Sequence, residues 1–496
     1  MNSPQAVAVV APELTPIQAW GAHTRKAVLQ FLKTAVVVDN EPELAASNPA
    51  ITTPAALVLD AGLDDESYVA VPPEPNLENR NALEIRKISD SFSEQGIACA
   101  FVLPDKEQDE VGIRRRVLLA AKTADILIID WHLSNGTSSL TLQLLNEIAI
   151  SDARENGRMR LTCIYTGESL DAQMFEQAKE HLSVEGAEYS DIQGVAGFDY
   201  CAKSKTSLLI LASKDSISAD LLPANLIDSF AELAKGLVPS FALAGIGSIR
   251  KNTHHMLTRF SSSIDSAYVA NRLITNPPGD VAELMRELLV AECDNALGLD
   301  CVADEYLERE AISLWLDACS EKFQFGTFSD GKKDIQLTKD MIDGLLKHGI
   351  RDRDFTDASG ADIKFPEFSR NKISDALAGG RDISKQSEND FSRLVLFRRE
   401  AYGPTTRLIN PGWLPSLTTG TILKYKAGDN IPKYLMCFTP ACDALRLTGA
   451  RPFVFLEGVV SGDPYNSVVI EDGGAAVGVY FDKKYPVVRT FEFLPE

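Results

Sequence analysis

Asp39, Asp130, Thr166 and Lys214 each stand at the end of a short apolar run or just beyond it, in "TAVVVD", "DILIID", "LTCIYT" and "SLLILASK". A run of this kind that stops on a polar residue reads as a buried strand whose last side chain emerges at the rim of a sheet. An aspartate that carries a phosphoryl group needs that set of chemical types. The carboxylate is the nucleophile, oxygen ligands hold a Mg²⁺ that neutralises the phosphate, and donors meet the remaining phosphoryl oxygens. Asp130 is the expected nucleophile. Asp39 and its neighbours are expected to hold the metal, the Thr166 hydroxyl to bond one phosphoryl oxygen, and Lys214 to pair with another. A single aspartate at a strand end more often caps a turn. The chemical reading rests on all four types recurring at the ends of the first, third, fourth and fifth strands.

Those strands must be positioned by the elements between them. Leu83, Ile85, Ile88 and Phe92 fall at helical spacing before Gly96, and "IACAFVLPD" follows as a strand. "GIRRRVLLAAKTA", "SLTLQLLNEIAISDAREN", the stretch from Asp171 to Leu182, and "PANLIDSFAELAKGL" alternate as helices with "DILIID", "RLTCIYTGE" and "TSLLILASKD" as strands. Such alternation predicts a doubly wound α/β domain with five parallel strands, whose functional crevice lies at their carboxyl ends. Four regions are expected: a helical extension over 1–32, the α/β domain over 33–238 with an insertion at about 42–80, a helical region over 239–402, and a small all-β barrel or sandwich over 403–496. The third region contains "FALAGIGSIRKNTHHMLTRF", "DVAELMRELLVAECDNAL", "REAISLWLDACSEKF", "TKDMIDGLLKHGI" and "ENDFSRLVLFRREAY" as helices, with "SDGKKD" and "RDRDFTDASGAD" as polar connectors.

"VVVDNEP", "ILIIDWHL" and "IYTGE" resemble the acidic first-strand motif, the phosphoacceptor strand and the Thr-bearing fourth strand of the receiver domains of two-component response regulators. The resemblance implies a flavodoxin-like fold, Mg²⁺ as cofactor, a partner histidine kinase as phosphate donor, and Asp130 as the site of an aspartyl phosphate. It also implies metal ligation by Asp39, Asn40 and Asp130. The family commonly has a second acid where this chain has Asn40, and an amide oxygen brings no charge, so weaker metal affinity is expected unless Glu41 compensates. The lysine is open between Lys214 and Lys203, because "FDYCAKS" offers Tyr200 and Lys203 at a similar spacing. Lys214 is preferred, since "SLLILA" is continuously apolar as a covered central strand should be and "DYCAK" is not. On that choice Leu211 takes the position of the family's switch aromatic, and the usual aromatic-coupled output is missing. The long insertion, "IRKNTHHMLTRF" and "YLMCFTPACDALRL" extend the similarity to response-receiver proteins of bacterial antiphage defence operons.

The net charge of −21 over 496 residues opposes docking on nucleic-acid backbone or an anionic membrane. No apolar run approaches the roughly 20 residues of a membrane span, and "MNSPQAVAVVAPELTP" lacks the basic start and apolar core of a secretion signal, so a cytoplasmic protein is expected. The eight cysteines lie mostly in apolar segments and read as small buried hydrophobes of a reducing compartment. Cys437 and Cys442 lack the two further ligands a zinc site needs. The glycines of "ALAGIGSIR" follow a helix and lack a phosphate loop's Lys and Ser pair. "THH" reads as polar residues on an amphipathic helix. The C-terminal half offers no catalytic triad, metal triad or phosphorylase-like Gly-rich strand ends. A regulatory protein without its own output enzyme is therefore expected, probed against the alternative of a phosphorylation-switched effector whose β domain carries an enzymatic or binding output.

Overall fold

The computed structural model describes residues 14–43, 83–104, 109–134, 136–154, 157–185, 187–276, 278–319, 327–329, 334–336, 338–349, 354–356, 362–364, 369–394, 417–426, 432–444, 447–461, 467–472 and 475–494. Two compact units divide the chain, Met1–Trp315 and Leu316–Glu496. Most of the insertion expected at about 42–80 and the boundary expected at 402/403 lie outside the described residues.

The first unit opens with α1 (Pro16–Phe31), started by a capping box in which Thr15 and Gln18 exchange hydrogen bonds and by Pro16 at its first position. There follow β1 (Thr34–Val38), the two-residue strands β2 (Pro42–Glu43) and β3 (Leu83–Glu84), α2 (Ile85–Glu94), β4 (Ala98–Val102), α3 (Glu110–Ala121), β5 (Ile126–Ile129), α4 (Ser139–Arg154) and β6 (Arg160–Thr166). Then come α5 (Ala172–Leu182), β7 (Ser190–Ile192), β8 (Tyr200–Lys203), β9 (Ser207–Ser213), α6 (Leu222–Phe230) and α7 (Leu237–Arg259). The unit continues through α8 (Asp265–Ile274), α9 (Asp280–Leu299) and α10 (Val302–Leu307). β2 and β3 pair in parallel, so the chain leaving after Glu43 returns beside its point of departure.

The main sheet has the order β4-β1-β5-β6-β9-β8-β7. Its first five strands are parallel, and helices cover both faces as the alternation of elements predicts. The expected five strands become seven, because β8 and β7 add antiparallel at the β9 edge. The "DYCAK" segment is thus a strand after all. Its Cys201 and Ala202 are buried while Lys203 is exposed, a pattern that suits a near-edge strand and not a central one. β9 is the covered strand between β6 and β8, in keeping with its unbroken apolar sequence.

Alternation along β1 sends Ala35 and Val37 into one core and Val36 and Val38 into the other. The first core is closed by Val28 and Phe31 of α1, Phe92 of α2, Phe230 of α6, Leu243 of α7 and Tyr306 of α10. The second is closed by Ile113 and Val117 of α3, Leu144 and Ile148 of α4, and Phe175 of α5. Each such side chain, fully buried, contributes about 1.5–3 kcal/mol. The glycines of "LAGIG" serve this packing. A Cβ at Gly247 would lie 2.4 Å from the Gln30 carbonyl oxygen, so only glycine lets α7 approach α1 so closely. No helix among the described residues is long and apolar enough to cross a membrane.

α11 (Arg309–Ala318) leads into the second unit, where the expected polar connectors form two small hairpins: β10 (Thr327–Ser329) with β11 (Asp334–Gln336), and, after α12 (Lys339–His348), β12 (Asp354–Thr356) with β13 (Asp362–Lys364). The register sets Phe328 opposite Ile335 in the first and Phe355 opposite Ile363 in the second, strands of three residues being too short to show a period of two in sequence. α13 (Ser369–Ala378) and α14 (Arg381–Leu394) follow. The C-terminal β region is a six-stranded antiparallel sheet made of β14 (Ile422–Lys426), β15 (Pro432–Cys437), β16 (Arg451–Val460), β17 (Val468–Asp472), β18 (Ala475–Tyr480) and β19 (Val487–Phe493), with the four-residue α15 (Ala441–Ala444) after β15. The long β16 joins its parts, pairing with β15 and β19 and, through its last two residues, with β18.

Candidate functional site

Register brings the four strand ends together. Val38 pairs with Ile129 and Ile129 with Ile164, so Asp39 and Asp130 leave adjacent strands at one level. Thr166 pairs with Ser213, and the Lys214 amide donates to the Thr166 carbonyl at 2.8 Å, which sets the lysine at the same rim. The strand ends also share a local device, in which a side chain accepts the backbone N–H two residues on. Asp39 takes that of Glu41 at 2.8 Å, Asp130 that of His132 at 2.9 Å, Thr166 that of Glu168 at 3.2 Å and Ser213 that of Asp215 at 3.2 Å. Turn formation and the gathering of chemistry therefore come from the same residues.

Asp39, Asp130 and Thr166 are all buried. The Lys214 ammonium, itself only 5% exposed, lies 2.8 Å from Asp39 Oδ2 and 3.2 Å from Asp130 Oδ1. It also lies over the Tyr165 ring at 5.8 Å, and that ring is fixed by donation from its hydroxyl to the Ile217 carbonyl at 2.8 Å. Thr141 of α4 donates to the Asp130 carbonyl at 2.9 Å and so anchors the turn behind the carboxylate. Burial pushes the Asp39 carboxyl up to about 6, against the pull of Lys214 and with a further push from Asp130. The rim thus gathers more negative charge than Lys214 alone neutralises. Lys203, the alternative lysine of "FDYCAKS", is exposed at the end of β8 and stands in register with Ser190 of β7.

Asn40, Glu41, Asp130, His132, Thr166 and Glu168 line one small cleft at this rim. His132 and Glu168, which face each other at 3.6 Å, escaped the reading of the sequence. The signal available was their position two residues beyond Asp130 and Thr166, where the turn device sets them beside the same opening. The oxygen donors of Asp39, Asn40 and Asp130 match a hard cation such as Mg²⁺ in kind. With Asn40 in place of an acid, however, no group of three His, Cys, Asp or Glu side chains arranged to hold a metal occurs among the described residues.

A family model described as the response receiver domain matches residues 31–237. This stretch is similar to the response receivers. The matched span runs from the end of α1 to the first residue of α7 and contains every strand of the main sheet. A receiver domain points to a two-component response regulator, a class whose receivers take phosphate from a histidine kinase and bind Mg²⁺ at the phosphorylation site. No curated protein matches the chain.

Proposed function

We propose that this protein is a regulatory component of a two-component pathway that accepts phosphate on Asp130 and drains it from a partner histidine kinase. Support comes from the convergence of Asp130, Asp39, Thr166 and Lys214 at one rim. In the transfer, an Asp130 oxygen attacks phosphorus, the P–N bond to the kinase's histidine breaks, and the departing imidazole takes up the electron pair and a proton from water. Lys214, already beside both carboxylates, is the cation for one phosphoryl oxygen, and the Thr166 hydroxyl donates to another. Asp39, Asn40 and Asp130 are the residues that would hold Mg²⁺, with Glu41 at the edge of the same cleft. Mg²⁺, when bound, neutralises the oxygens of the transferring group.

The role of a sink, without an enzymatic output of its own, is favoured by Leu211. At the position where a receiver that signals would carry a movable aromatic, this leucine is 1% exposed, lies in the second core, and is flanked by Ile164 of β6 and Tyr200 of β8. A side chain so enclosed has no second position to adopt when Asp130 is modified. The reading extends to a cytoplasmic protein of an antiphage defence pathway that does not act through nucleic acid, similar to the receiver-bearing B component of the Detocs system. Incubation with acetyl phosphate and Mg²⁺ followed by intact-mass measurement tests the chemistry: one phosphoryl group should be gained and Asp130→Asn should gain none. In cells, Asp130→Ala should make the neighbouring effector more active, with slow growth that disappears when the kinase is disabled. If Asp130→Ala silences the pathway instead, the protein is an activator and its C-terminal β region is the place to look for an output.

A further inference from the structure

α3 and α4 pack side by side on the second core, and between their outer faces runs an open groove away from the Asp130 rim. Its composition is unlike that of the whole molecule. From α3 come Val111, Arg115 and Leu119, with Lys122 just past the helix end, and from α4 come Ile150 and Arg154. Arg114 and Glu147 form an ion pair between the two helices, and the Arg114 Nε is buried without a hydrogen-bond partner. Against that single acid stand four cations, Arg114, Arg115, Lys122 and Arg154, in a chain of net charge −21. Val111 and Leu119, at 70% and 57% exposure, add apolar surface along the same line. A two-helix groove with an apolar floor and cationic borders suits an amphipathic helix whose apolar stripe is edged by acids.

α9 presents such a stripe. Leu284, Leu288 and Ala291 follow one another at intervals of four and three residues and are exposed, so they line one side of the helix, and the exposed acids Glu287 and Asp294 border them. The other side, with Ala296 buried and Met285, Cys293 and Leu297 half-buried, packs within the first unit. α3 spans about 18 Å and the stripe from Leu284 to Asp294 about 15 Å at 1.5 Å per residue, so the two match in length.

We infer that the α3/α4 groove of one molecule receives α9 of a second copy of this chain. The contact is heterologous, since groove and helix are different surfaces, and each molecule keeps one of each free for a further neighbour. Self-association of so acidic a chain is opposed by long-range repulsion, and the groove supplies the local charge of opposite sign that overcomes it.

Light scattering coupled to size-exclusion chromatography, run on the full-length protein over a range of loading concentrations, tests this. At low ionic strength the weight-average mass should rise with concentration above the 54.1 kDa monomer, and 0.5 M NaCl should reduce the rise because the pairing charges are exposed. The triple variant Arg115→Glu, Lys122→Glu, Arg154→Glu should stay monomeric. Adding Glu287→Lys and Asp294→Lys to that variant should restore association, which also excludes misfolding as the cause of its loss. A wild-type protein that is monomeric at every concentration, association indifferent to the triple variant, or failure of the reciprocal charges to restore it would each overturn the proposal. A mass gain on adding an acidic partner protein to a strictly monomeric wild type would overturn it too, in favour of another occupant of the groove.

Discussion

Replacing Lys214 with Met tests how the rim is held together. The methionine keeps most of the volume and removes the cation that stands 2.8 Å from Asp39 and 3.2 Å from Asp130. At an effective dielectric constant of about 20, each contact has a gross Coulomb energy of about 5 kcal/mol. The cost of burying the ammonium offsets much of this, yet removing one member of a buried ion cluster strands the others, and the net loss is about 3–5 kcal/mol. Urea unfolding of metal-free protein, followed by circular dichroism in the presence of a chelator, should show a lower midpoint with an unchanged slope. Added Mg²⁺ should raise the variant's midpoint by more than that of the wild type, because the two carboxylates have then lost the cation that pairs with both of them. Phosphorylation by acetyl phosphate should fall sharply in the same variant. A metal-free midpoint equal to the wild type's, with no response to Mg²⁺, would refute the view that Lys214 neutralises this pair.

Asn40→Asp should tighten Mg²⁺ binding, measured by calorimetry, and speed phosphorylation, because it adds a charge where only a dipole now stands; equal affinity would show that Asn40 is not a ligand. Gly247→Ala should lose about 1–3 kcal/mol in urea unfolding through the clash with the Gln30 carbonyl, and a neutral outcome would mean that α1 and α7 can separate at no cost. His23 lies between Trp20 and Tyr306, and burial lowers its pKa with its Nε2 left without a hydrogen-bond partner. A histidine depressed in the folded state binds its proton more readily when unfolded, so its contribution to stability is full above pH 6.5 and declines as pH falls from there toward the lowered folded value. His23→Phe should flatten that part of the pH profile; an identical profile in wild type and variant would remove His23 as its source.

How much of this was legible in the sequence depends on the range of the interactions that set each feature. The parallel core of the sheet was readable because β1, β5 and β9 carry unbroken apolar runs and β6 is interrupted inside only by Thr162, as strands covered on both faces should be. The polar residue ending each run was readable too, since it both caps the turn and marks the strand's emergence at the rim. Local chemistry therefore named Asp39, Asp130, Thr166 and Lys214. Only the folded chain could decide that β8 and β7 extend the sheet, because a short strand with one exposed lysine acquires its identity from the neighbour it pairs with. Leu211 was visible as a leucine, but its enclosure arises from β6 and β8 on either side, which no single segment encodes. His132 and Glu168 became neighbours through the register of β5 against β6, and Gly247 became indispensable through a carbonyl more than two hundred residues earlier in the chain. Segment type follows from periodicity within a few turns or strands, whereas charge neighbourhood and close approach follow from pairings across the chain. Those pairings are fixed only when the cores close.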